Sequence, residues 1–435
     1  MKIIADLHTH SRFARAVSPQ MTLPVISSWA KKKGIDLVAT GDWTHPVWFR
    51  ELKSGLIEAG EGVYREKNAS EDDPLFLLST EISSIYSQGG KTRRIHTLIF
   101  APTLKVVEKI NKELVDRGAN LLSDGRPITG LSARDIAEIA LTADKRCLVI
   151  PAHAWTPWFA LYGSKTGFDS IDECFGDLAK YIYAIETGLS SDPAMNWKVE
   201  ELANRAIVSF SDAHSPRKLG REATVFNLNK VNYESLRKAI VGGTSNKIVS
   251  TIEFYPEEGK YHYTGHRKCK VIYSPKEAKK KGTVCPVCGK PLTVGVMSRV
   301  ERLASLDIET ESKIDEYGTR WIKDKEGKRP PYAMIVPLLE ILSEALSVGV
   351  ASQKVLVAYE QLIHSFGNEF EVLLKTKLSD IERIGGSRVA EGVGKVRSGD
   401  IAIKPGYDGV FGEVNIWKEG EDDQSEAQVD QEVLF

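Results

Sequence analysis

The sequence predicts an α/β fold in which a distorted seven-stranded βα barrel is followed by a small cysteine-containing module and a C-terminal helical domain. Seven short apolar runs occur before residue 250, and amphipathic helical stretches lie between most of them. This alternation is typical of strands joined by helices, in an open parallel sheet or a barrel. A cluster of cysteines and then a helical pattern after residue 330 predict the other two parts.

The elements follow from local patterns along the chain. The apolar runs are Lys2–Ala5, Leu37–Thr40, Leu75–Leu78, Ile95–Ala101, Leu148–Pro151, Tyr181–Ile185 and Ala206–Phe210. The predicted helices are Leu23–Lys33, Ser132–Asp144, Pro193–Asn204, Met334–Leu346, Lys354–Phe366, Phe370–Lys375 and one that opens with a capping box at Ser379 and Glu382.

These patterns divide the 435 residues into five parts. An α/β domain covers residues 1–250, the cysteine module 251–300, a charged connector 301–330, a helical domain 331–417, and a disordered acidic tail 418–435.

Composition limits the class of protein. Apolar residues make up 42% of the chain, enough for a sizeable core, and the net charge is −1. We expect a cytoplasmic protein, because neither a signal peptide nor an apolar run of about 20 residues is present. Three of the five cysteines are clustered, which favours a metal site in a reducing compartment over disulfides.

Metal-ligating residue types follow the apolar runs. They are His8, His10, Asp42, His45, Glu81, His96, His153, Asp212 and His214. In a βα barrel the carboxyl ends of the strands meet on one face, so these side chains should converge. Residues two apart on a strand point to the same side, so His8 and His10 can bind one ion together. The set predicts a site for two or three divalent ions (Zn, Mn or Mg), in which a carboxylate such as Glu81 bridges two of them.

The segments Asp6-Leu7-His8-Thr9-His10, Gly41-Asp42, Glu81, Pro151-Ala152-His153 and Ser211-Asp212-Ala213-His214 resemble the PHP superfamily of phosphoesterases. The resemblance covers residues 1–250 and implies the distorted barrel and phosphodiester hydrolysis. It implies that one ion binds His8, His10, Glu81 and Asp212, a second binds Glu81, His96 and His153, and a third binds His214 with His45 or Asp42. It also makes His8, His10, Glu81, Asp212 and His214 the expected catalytic residues.

The chain departs from this family after His10, where the further His or Asp usual in the family is missing. Trp43 also stands where a histidine is usual after Asp42, which leaves the third ion open. Arg12 and Arg15 in the first of these stretches are candidates for binding a phosphate.

Two short motifs in the cysteine module have zinc-ligand spacing. Cys285-Pro-Val-Cys288 and His266-x-x-Cys269 each place two ligands three positions apart, and they predict one structural zinc ion. His262 is the alternative fourth ligand. Seven basic residues lie in residues 267–281, and we expect them to contact nucleic-acid phosphates; Arg267, Lys268, Lys270 and Lys280 are the chosen candidates.

This order of parts, with a C-terminal segment Lys404-Pro-Gly-Tyr-Asp-Gly409, resembles the endonuclease Q family of DNA repair enzymes. The resemblance implies cleavage on the 5′ side of deaminated bases (hypoxanthine, uracil, xanthine) and of abasic sites. Trp43, Trp155 and Trp158 lie near the metal loops and are candidates for a pocket that holds an extruded base. The alternatives are a small-molecule phosphatase of the histidinol-phosphate type and a non-catalytic DNA-binding scaffold.

The last five residues, Gln431-Glu-Val-Leu-Phe435, resemble the short motif by which bacterial proteins bind the sliding clamp. Gln431 would hydrogen-bond at the rim of a pocket, and Leu434 and Phe435 would fill an apolar cleft. The sequence therefore predicts damaged DNA and a bacterial clamp as partners, and no membrane.

Overall fold

The computed structural model describes residues 1–418, and these form a mixed α/β fold with a helical C-terminal region. The strands are β1 Lys2–Asp6, β2 Leu37–Ala39, β3 Leu56–Gly60, β4 Val63–Glu66, β5 Leu75–Leu77, β6 Ser79–Gln88, β7 Lys91–Phe100, β8 Ile128–Thr129, β9 Leu148–Pro151, β10 Ala184–Glu186, β11 Ala206–Val208, β12 Ala223–Asn227, β13 Lys247–Glu253, β14 Thr264–His266, β15 Val271–Tyr273, β16 Thr310–Ile314, β17 Arg320–Asp324, β18 Tyr332–Met334, β19 Ala402–Lys404 and β20 Glu413–Asn415.

The helices are α1 Leu23–Lys33, α2 Pro46–Gly55, α3 Leu104–Asp116, α4 Ala133–Ala143, α5 Ile171–Phe175, α6 Pro193–Trp197, α7 Tyr233–Val241, α8 Pro275–Lys281, α9 Val296–Leu303, α10 Leu338–Ala345, α11 Gln353–Phe366, α12 Glu369–Leu374, α13 Leu378–Gly385 and α14 Ser387–Ser398. None of these helices within residues 1–418 is both long and apolar enough to cross a bilayer.

Each of the seven apolar runs contains strand residues, although only the last two residues of Tyr181–Ile185 lie in a strand. The resulting strands are distributed over three hydrogen-bonded sheets. A ten-stranded sheet has the order β16-β17-β18-β13-β12-β1-β2-β5-β4-β3, a four-stranded sheet the order β8-β6-β7-β9, and β10 pairs with β11. Strands β1, β2 and β5 are parallel, as are β10 and β11.

The prediction of parallel strands is confirmed only in part, because two of the predicted runs, β7 and β9, pair antiparallel. Strand β12 pairs antiparallel with β1, and β6 pairs antiparallel with β7. The β6–β7 hairpin turns at Gly89 and Gly90, whose φ values of 61° and 71° suit the tight turn that joins antiparallel strands.

The N-terminal helices mostly match their sequence signals. Helix α1 has the predicted bounds, and Ser132 caps α4 in a capping box with Asp135. The helix predicted for Pro193–Asn204 is shorter, because α6 ends at Trp197 and Val199 has an extended backbone.

The segment predicted as a connector, residues 301–330, contains β16 and β17. These two strands pair antiparallel, and β17 also pairs with β18, so they extend the ten-stranded sheet at one edge. Their side chains are largely exposed or half-buried, which explains why their apolar content is too low to indicate strands in the sequence.

The C-terminal helical region is fixed by buried charges. Lys33 of α1 and Glu369 of α12 form a buried ion pair of 2.7 Å, which joins this region to the N-terminal one. The buried Arg397 of α14 donates to the carbonyl oxygens of Val372 and Leu373 at 2.8 Å. The predicted capping box at Ser379 is wrong, since α13 begins at Leu378 and Lys377 occupies the capping position without a side-chain hydrogen bond.

Candidate metal centre and active site

The predicted ligands converge at the ends of neighbouring strands. His8 and His10 follow β1, His153 follows β9, and Asp212 and His214 follow β11, while Glu81 and His96 lie within β6 and β7. Their donor atoms form three groups, in each of which all atoms lie within 4.8 Å of one another. The groups are His8, His10 and Glu81; Glu81, His96 and His153; and His10, Asp212 and His214.

Glu81 belongs to two of these groups. Its Oε1 lies 2.9 Å from His96 Nδ1 and 3.0 Å from His153 Nε2, and 3.7 Å from His8 Nε2. Its Oε2 lies 3.5 Å from His10 Nε2. A carboxylate placed between two sets of imidazoles is suited to bridge two ions.

Asp212 lies against three of the imidazoles. Its Oδ1 lies 3.4 Å from His8 Nε2, 3.1 Å from His10 Nε2 and 3.5 Å from His214 Nδ1. The backbone of Asp212 has a φ of 47°, and Asp42 and His153 also have positive φ values. Positive φ is uncommon for residues other than glycine, and such strain concentrates at functional sites.

Asp42 and His45 do not join the third group. Asp42 Oδ1 lies 2.9 Å from His10 Nδ1, and its Oδ2 accepts hydrogen bonds from the amide and hydroxyl of Ser11. His45 accepts a hydrogen bond from the amide of Trp48 and stacks against Phe13 with ring centroids 4.4 Å apart. The expectation that either of them completes a third ion site with His214 is corrected by this geometry, in which His10 and Asp212 take that place.

Glu186 is a buried carboxylate beside the cluster that is not among the site residues predicted from the sequence. Its Oε1 lies 2.9 Å from His8 Nδ1, and its Oε2 accepts a hydrogen bond from the amide of His153 at 2.7 Å. Glu186 therefore orients His8 as Asp42 orients His10, and each carboxylate leaves Nε2 as the imidazole atom that faces the cluster. Its position at the end of an apolar run was the available signal.

The pKa values of the clustered side chains depend on burial and on the charged groups beside them. Burial alone would raise the pKa of Glu81, but the charges of His96 and Arg126 and several hydrogen bonds hold that pKa well below its usual range. Burial lowers the pKa of His96 to about 4. For His8, His10 and His153 burial acts in the same direction, but the neighbouring carboxylates outweigh it and raise their pKa values. An ionised carboxylate and a neutral imidazole are the forms that bind metals.

Three buried atoms of the cluster have no hydrogen-bond partner within the described residues: His8 Nε2, His10 Nε2 and Asp212 Oδ1. Leaving a buried polar group unsatisfied costs about 1–3 kcal/mol. These atoms face one another closely without the alignment of a hydrogen bond. A divalent ion would satisfy all three, so the residues present fit a metal centre.

Arg126 lies at the partly exposed side of the cluster. Its Nη1 donates to Glu81 Oε2 at 2.9 Å, and the charge of Asp212 also acts on it. A guanidinium in this position can bind the oxygens of a phosphate. Arg126 precedes the two-residue strand β8 in a loop, so no strand-end pattern indicated it in the sequence.

The predicted phosphate-binding arginines lie in the loop after β1. Arg12 is paired with Glu51 at 2.7 Å. Arg15 has an exposed side chain whose Nε lies 3.9 Å from Asp124 Oδ2.

The predicted base-pocket tryptophans separate into two kinds. Trp43 and Trp155 are completely buried in the core, and Trp155 donates to Asn196 at 2.6 Å. Their burial contradicts the expectation that they contact a base. Trp158 lines a cavity of about 640 Å³, together with Phe159 and Tyr261.

The four predicted zinc ligands lie together. The donor atoms of His266, Cys269, Cys285 and Cys288 are all within 4.8 Å of one another. Burial alone would raise the pKa of Cys285, but a hydrogen bond from His266 and backbone amides lower it to about 6. The alternative ligand, His262, is not a member of the group; it is buried and lines the 640 Å³ cavity.

The basic candidates of the module surround these ligands. Arg267, Lys268 and Lys270 lie in and directly after a short helical turn between β14 and β15, and Lys280 lies in α8. The amide of Arg267 donates to Asp408, which ties this turn to the hairpin of β19 and β20.

Comparison with solved structures gives matches over nearly the whole chain. The lesion-specific endonuclease PfuEndoQ from Pyrococcus furiosus is 32% identical, with a TM-score of 0.81, and the match covers 98% of this chain and 100% of that one. A structure of endonuclease Q in complex with a 27-mer duplex, with an abasic lesion at the active site, is 33% identical, also with a TM-score of 0.81, and the match covers 96% and 98% of the two chains.

Two sequence comparisons add to this. Residues 337–400 match the family described as MJ0043 C-terminal domain. The uncharacterized protein MJ0043 of Methanocaldococcus jannaschii is 34% identical over 271 residues, which are 61% of this chain. The chain spans 31% of the length of that relative.

The two whole-chain matches place the protein among hydrolytic nucleases with an α/β fold. Within this class, the chain belongs to the endonuclease Q family, because the match in sequence and fold extends over nearly all of both chains.

The cysteine group leads to a test. Changing Cys285 to Ser should release about one zinc ion per chain, because a tetrahedral site loses a thiolate, and should weaken DNA binding. Metal analysis of the purified variant measures this. Cys147→Ser, at a buried cysteine outside the group, is the matched control and should keep its zinc. An unchanged zinc content in Cys285→Ser would contradict the site.

Proposed function

We propose that this protein is a metal-dependent DNA repair endonuclease that hydrolyses the phosphodiester on the 5′ side of deaminated bases and abasic sites. One observation carries the proposal: Glu81 lies between two groups of imidazoles at the strand ends, and the facing atoms of His8, His10 and Asp212 lack partners. The family membership supports DNA as the substrate, since one relative is described in complex with a duplex that carries an abasic lesion.

The proposal gives each group of the centre a role. His8, His10, Glu81, Asp212, His96, His153 and His214 would hold two or three divalent ions (Zn, Mn or Mg). Ions bound there would supply a deprotonated water near neutral pH and neutralise charge on the phosphoryl group. Arg126 would donate to a phosphate oxygen, and Glu186 and Asp42 would hold the two imidazoles of the His-x-His pair in place.

Lesion recognition would use the cavity beside this centre. The ring of Phe159 in its wall lies 4.8 Å from the ring of His96, so the cavity adjoins the ligand cluster. Enzymes that act at a single nucleotide extrude it from the stack and hold the base between aromatic side chains. With Trp158, Phe159 and Tyr261 as walls, 640 Å³ is ample for one base.

We further propose that residues 1–250 form a distorted seven-stranded PHP barrel, that residues 251–300 fold around one structural zinc, and that residues 331–417 bind DNA. The three strand groups that end at the ligand cluster support the first of these. The four zinc-type ligands support the second, and thiolate ligands suit a reducing cytoplasm.

DNA phosphates would be contacted beside the zinc by Arg267, Lys268, Lys270 and Lys280, and beside the metal centre by Arg12 and Arg15.

The metal centre leads to a test of the chemistry. We expect His8→Ala and Asp212→Asn each to lower nicking of an abasic duplex by about a thousandfold or more, because the water and the phosphoryl charge lose their stabilisation. DNA binding should persist, since neither residue is needed for the phosphate contacts elsewhere. Gel assays of nicking and fluorescence anisotropy measure the two effects.

His364→Ala is the matched control, because His364 is an exposed histidine of α11 that belongs to none of the donor groups. It should nick as the wild type does. Near-normal nicking by His8→Ala or Asp212→Asn would refute the assignment of the centre.

The C-terminal pentapeptide lies outside the described residues, and its role as a clamp-binding motif is a proposal from the sequence alone. An acidic stretch would keep Gln431, Leu434 and Phe435 accessible, and tethering to a clamp would hold a repair nuclease near DNA.

Deleting Leu434 and Phe435 should abolish micromolar binding to a bacterial sliding clamp, because the apolar anchors of the motif are lost. Calorimetry measures the affinity, and Val433→Ala, at a variable position of the motif, is the control that should still bind. Nicking of short oligonucleotides should not change. Equal affinity with and without the two residues would refute the proposal.

A further inference from the structure

The most exposed aromatic side chain in the structure lies at the edge of the cavity beside the metal centre. Phe411 is 67% exposed, and within residues 1–418 no other phenylalanine is among the exposed large apolar residues. It lines the same cavity as Trp158, Phe159 and Tyr261. Single exposed apolar side chains are common on protein surfaces, so the position of Phe411 beside this cavity matters here and its exposure alone does not.

Phe411 and the metal centre are both connected to the cavity. Phe159 contributes to the cavity and packs 4.8 Å from His96 of the ligand cluster. Phe411 contributes from the C-terminal hairpin, and its ring lies 5.3 Å from the ammonium group of Lys260. A nucleotide that entered the cavity toward the ligands would therefore leave the duplex next to Phe411, with Lys260 available to a neighbouring phosphate.

The hairpin that carries Phe411 is held firmly. The amides of Gly406, Gly409 and Gly412 donate to the carbonyl oxygens of Glu257, Lys260 and Glu258 at 2.8–2.9 Å. A Cβ on Gly412 would come within 2.2 Å of Glu257 O, so the loop lies directly against the neighbouring segment. The ring is thus presented to solvent by a fixed backbone, which is what insertion into a base stack requires.

The ligand cluster itself is recessed. His8, His10 and Glu81 are buried, whereas the deaminated nucleotide of a paired duplex is stacked between its neighbours. Extruding that nucleotide breaks its stacking and pairing, and apolar side chains that enter the gap compensate for the loss. Aromatic rings are well suited to this, because they stack on bases of any sequence.

We propose that Phe411 inserts into the duplex at the lesion and stacks in the space that the extruded nucleotide leaves. This rests on the proposed function, and it assigns to the C-terminal hairpin the step that opens paired DNA. Phe411 is a positioning residue: it acts on the stack and leaves hydrolysis to the ligand cluster.

Two substrates that carry the same lesion should respond differently to the loss of the Phe411 ring. One is a duplex with a single deoxyinosine paired to cytosine, and the other is the same duplex with the lesion inside a short unpaired bubble. Phe411→Ala should lower kcat/KM on the paired duplex by at least about tenfold, because nothing fills the gap. On the bubble, where extrusion is already easy, the change should be less than about twofold.

Two variants sharpen this comparison. Phe411→Trp should keep most of the activity on the paired duplex, because it retains a flat aromatic ring. Ile314→Ala removes an apolar side chain of β16 that is also 67% exposed, and kcat/KM should not change on either substrate. If Phe411→Ala lowered kcat/KM equally on both substrates, or did not lower it on the paired duplex, the inference would be overturned.

A binding measurement keeps this test independent of cleavage. In EDTA, anisotropy should show that the wild type prefers an abasic duplex over an undamaged one, and that Phe411→Ala loses at least about fivefold of this preference. An unchanged preference would overturn the role of Phe411 even if nicking failed altogether. Absence of nicking by the wild type on both the paired duplex and the bubble would instead count against the proposed function.

Discussion

The structure depends on keeping several ionisable side chains buried around Glu81. The carboxylate of Glu81 lies between two groups of imidazoles, and its pKa is held low because His96, Arg126 and several hydrogen bonds oppose the cost of burial. Isolated buried charges are costly, so such a cluster persists only when each member has a partner. Glu186 and Asp42 provide partners for the outer nitrogens of His8 and His10, and the inner atoms are left facing the space where ions would bind.

The backbone of the loops after the strands holds these buried side chains in place. The residues that follow the strands turn sharply, and Asp42, His153 and Asp212 take up positive φ angles there. Buried Asp6 accepts hydrogen bonds from the amides of Ser211 and Gly220 at 2.9 Å, which fixes the loop that carries Asp212. Strain in the loops is thereby balanced by hydrogen bonds in the layer below the ligands.

The strands and the convergence of the candidate ligands could be predicted from the sequence because both have local signals. Every apolar run contains strand residues. The side chains that lie together, as their positions after or within these runs indicate, are His8, His10, Glu81, His96, His153, Asp212 and His214. The roles of Asp42 and Arg126 could not be predicted, since they depend on pairings 32 and 45 residues away along the chain. Burial in the core removed Trp43 and Trp155 from the pocket, which residue type alone cannot show.

The parts after residue 250 complete the cavity. Phe159 comes from the N-terminal α/β part, Tyr261 precedes the group of His266 and three cysteines, and Phe411 comes from the hairpin near the C-terminal end of the described chain. Arg299 of α9 reinforces this arrangement, because its buried guanidinium donates to the carbonyl oxygens of Tyr162 and Phe168 at 2.7 Å. The α/β part alone would hold the clustered side chains but would provide only one side of the cavity, with Trp158 and Phe159.

The central claim is that the ligand cluster hydrolyses DNA at a lesion and needs bound metal to do so. The direct measurement is nicking of a duplex with one abasic site, beside an undamaged duplex, by protein stripped with EDTA and then supplied with Mn²⁺, Mg²⁺ or Zn²⁺. The account predicts no nicking without metal and, once metal is restored, a single break on the 5′ side of the lesion in the damaged duplex only. Equal nicking of both duplexes, or nicking that survives removal of the metal, would contradict it.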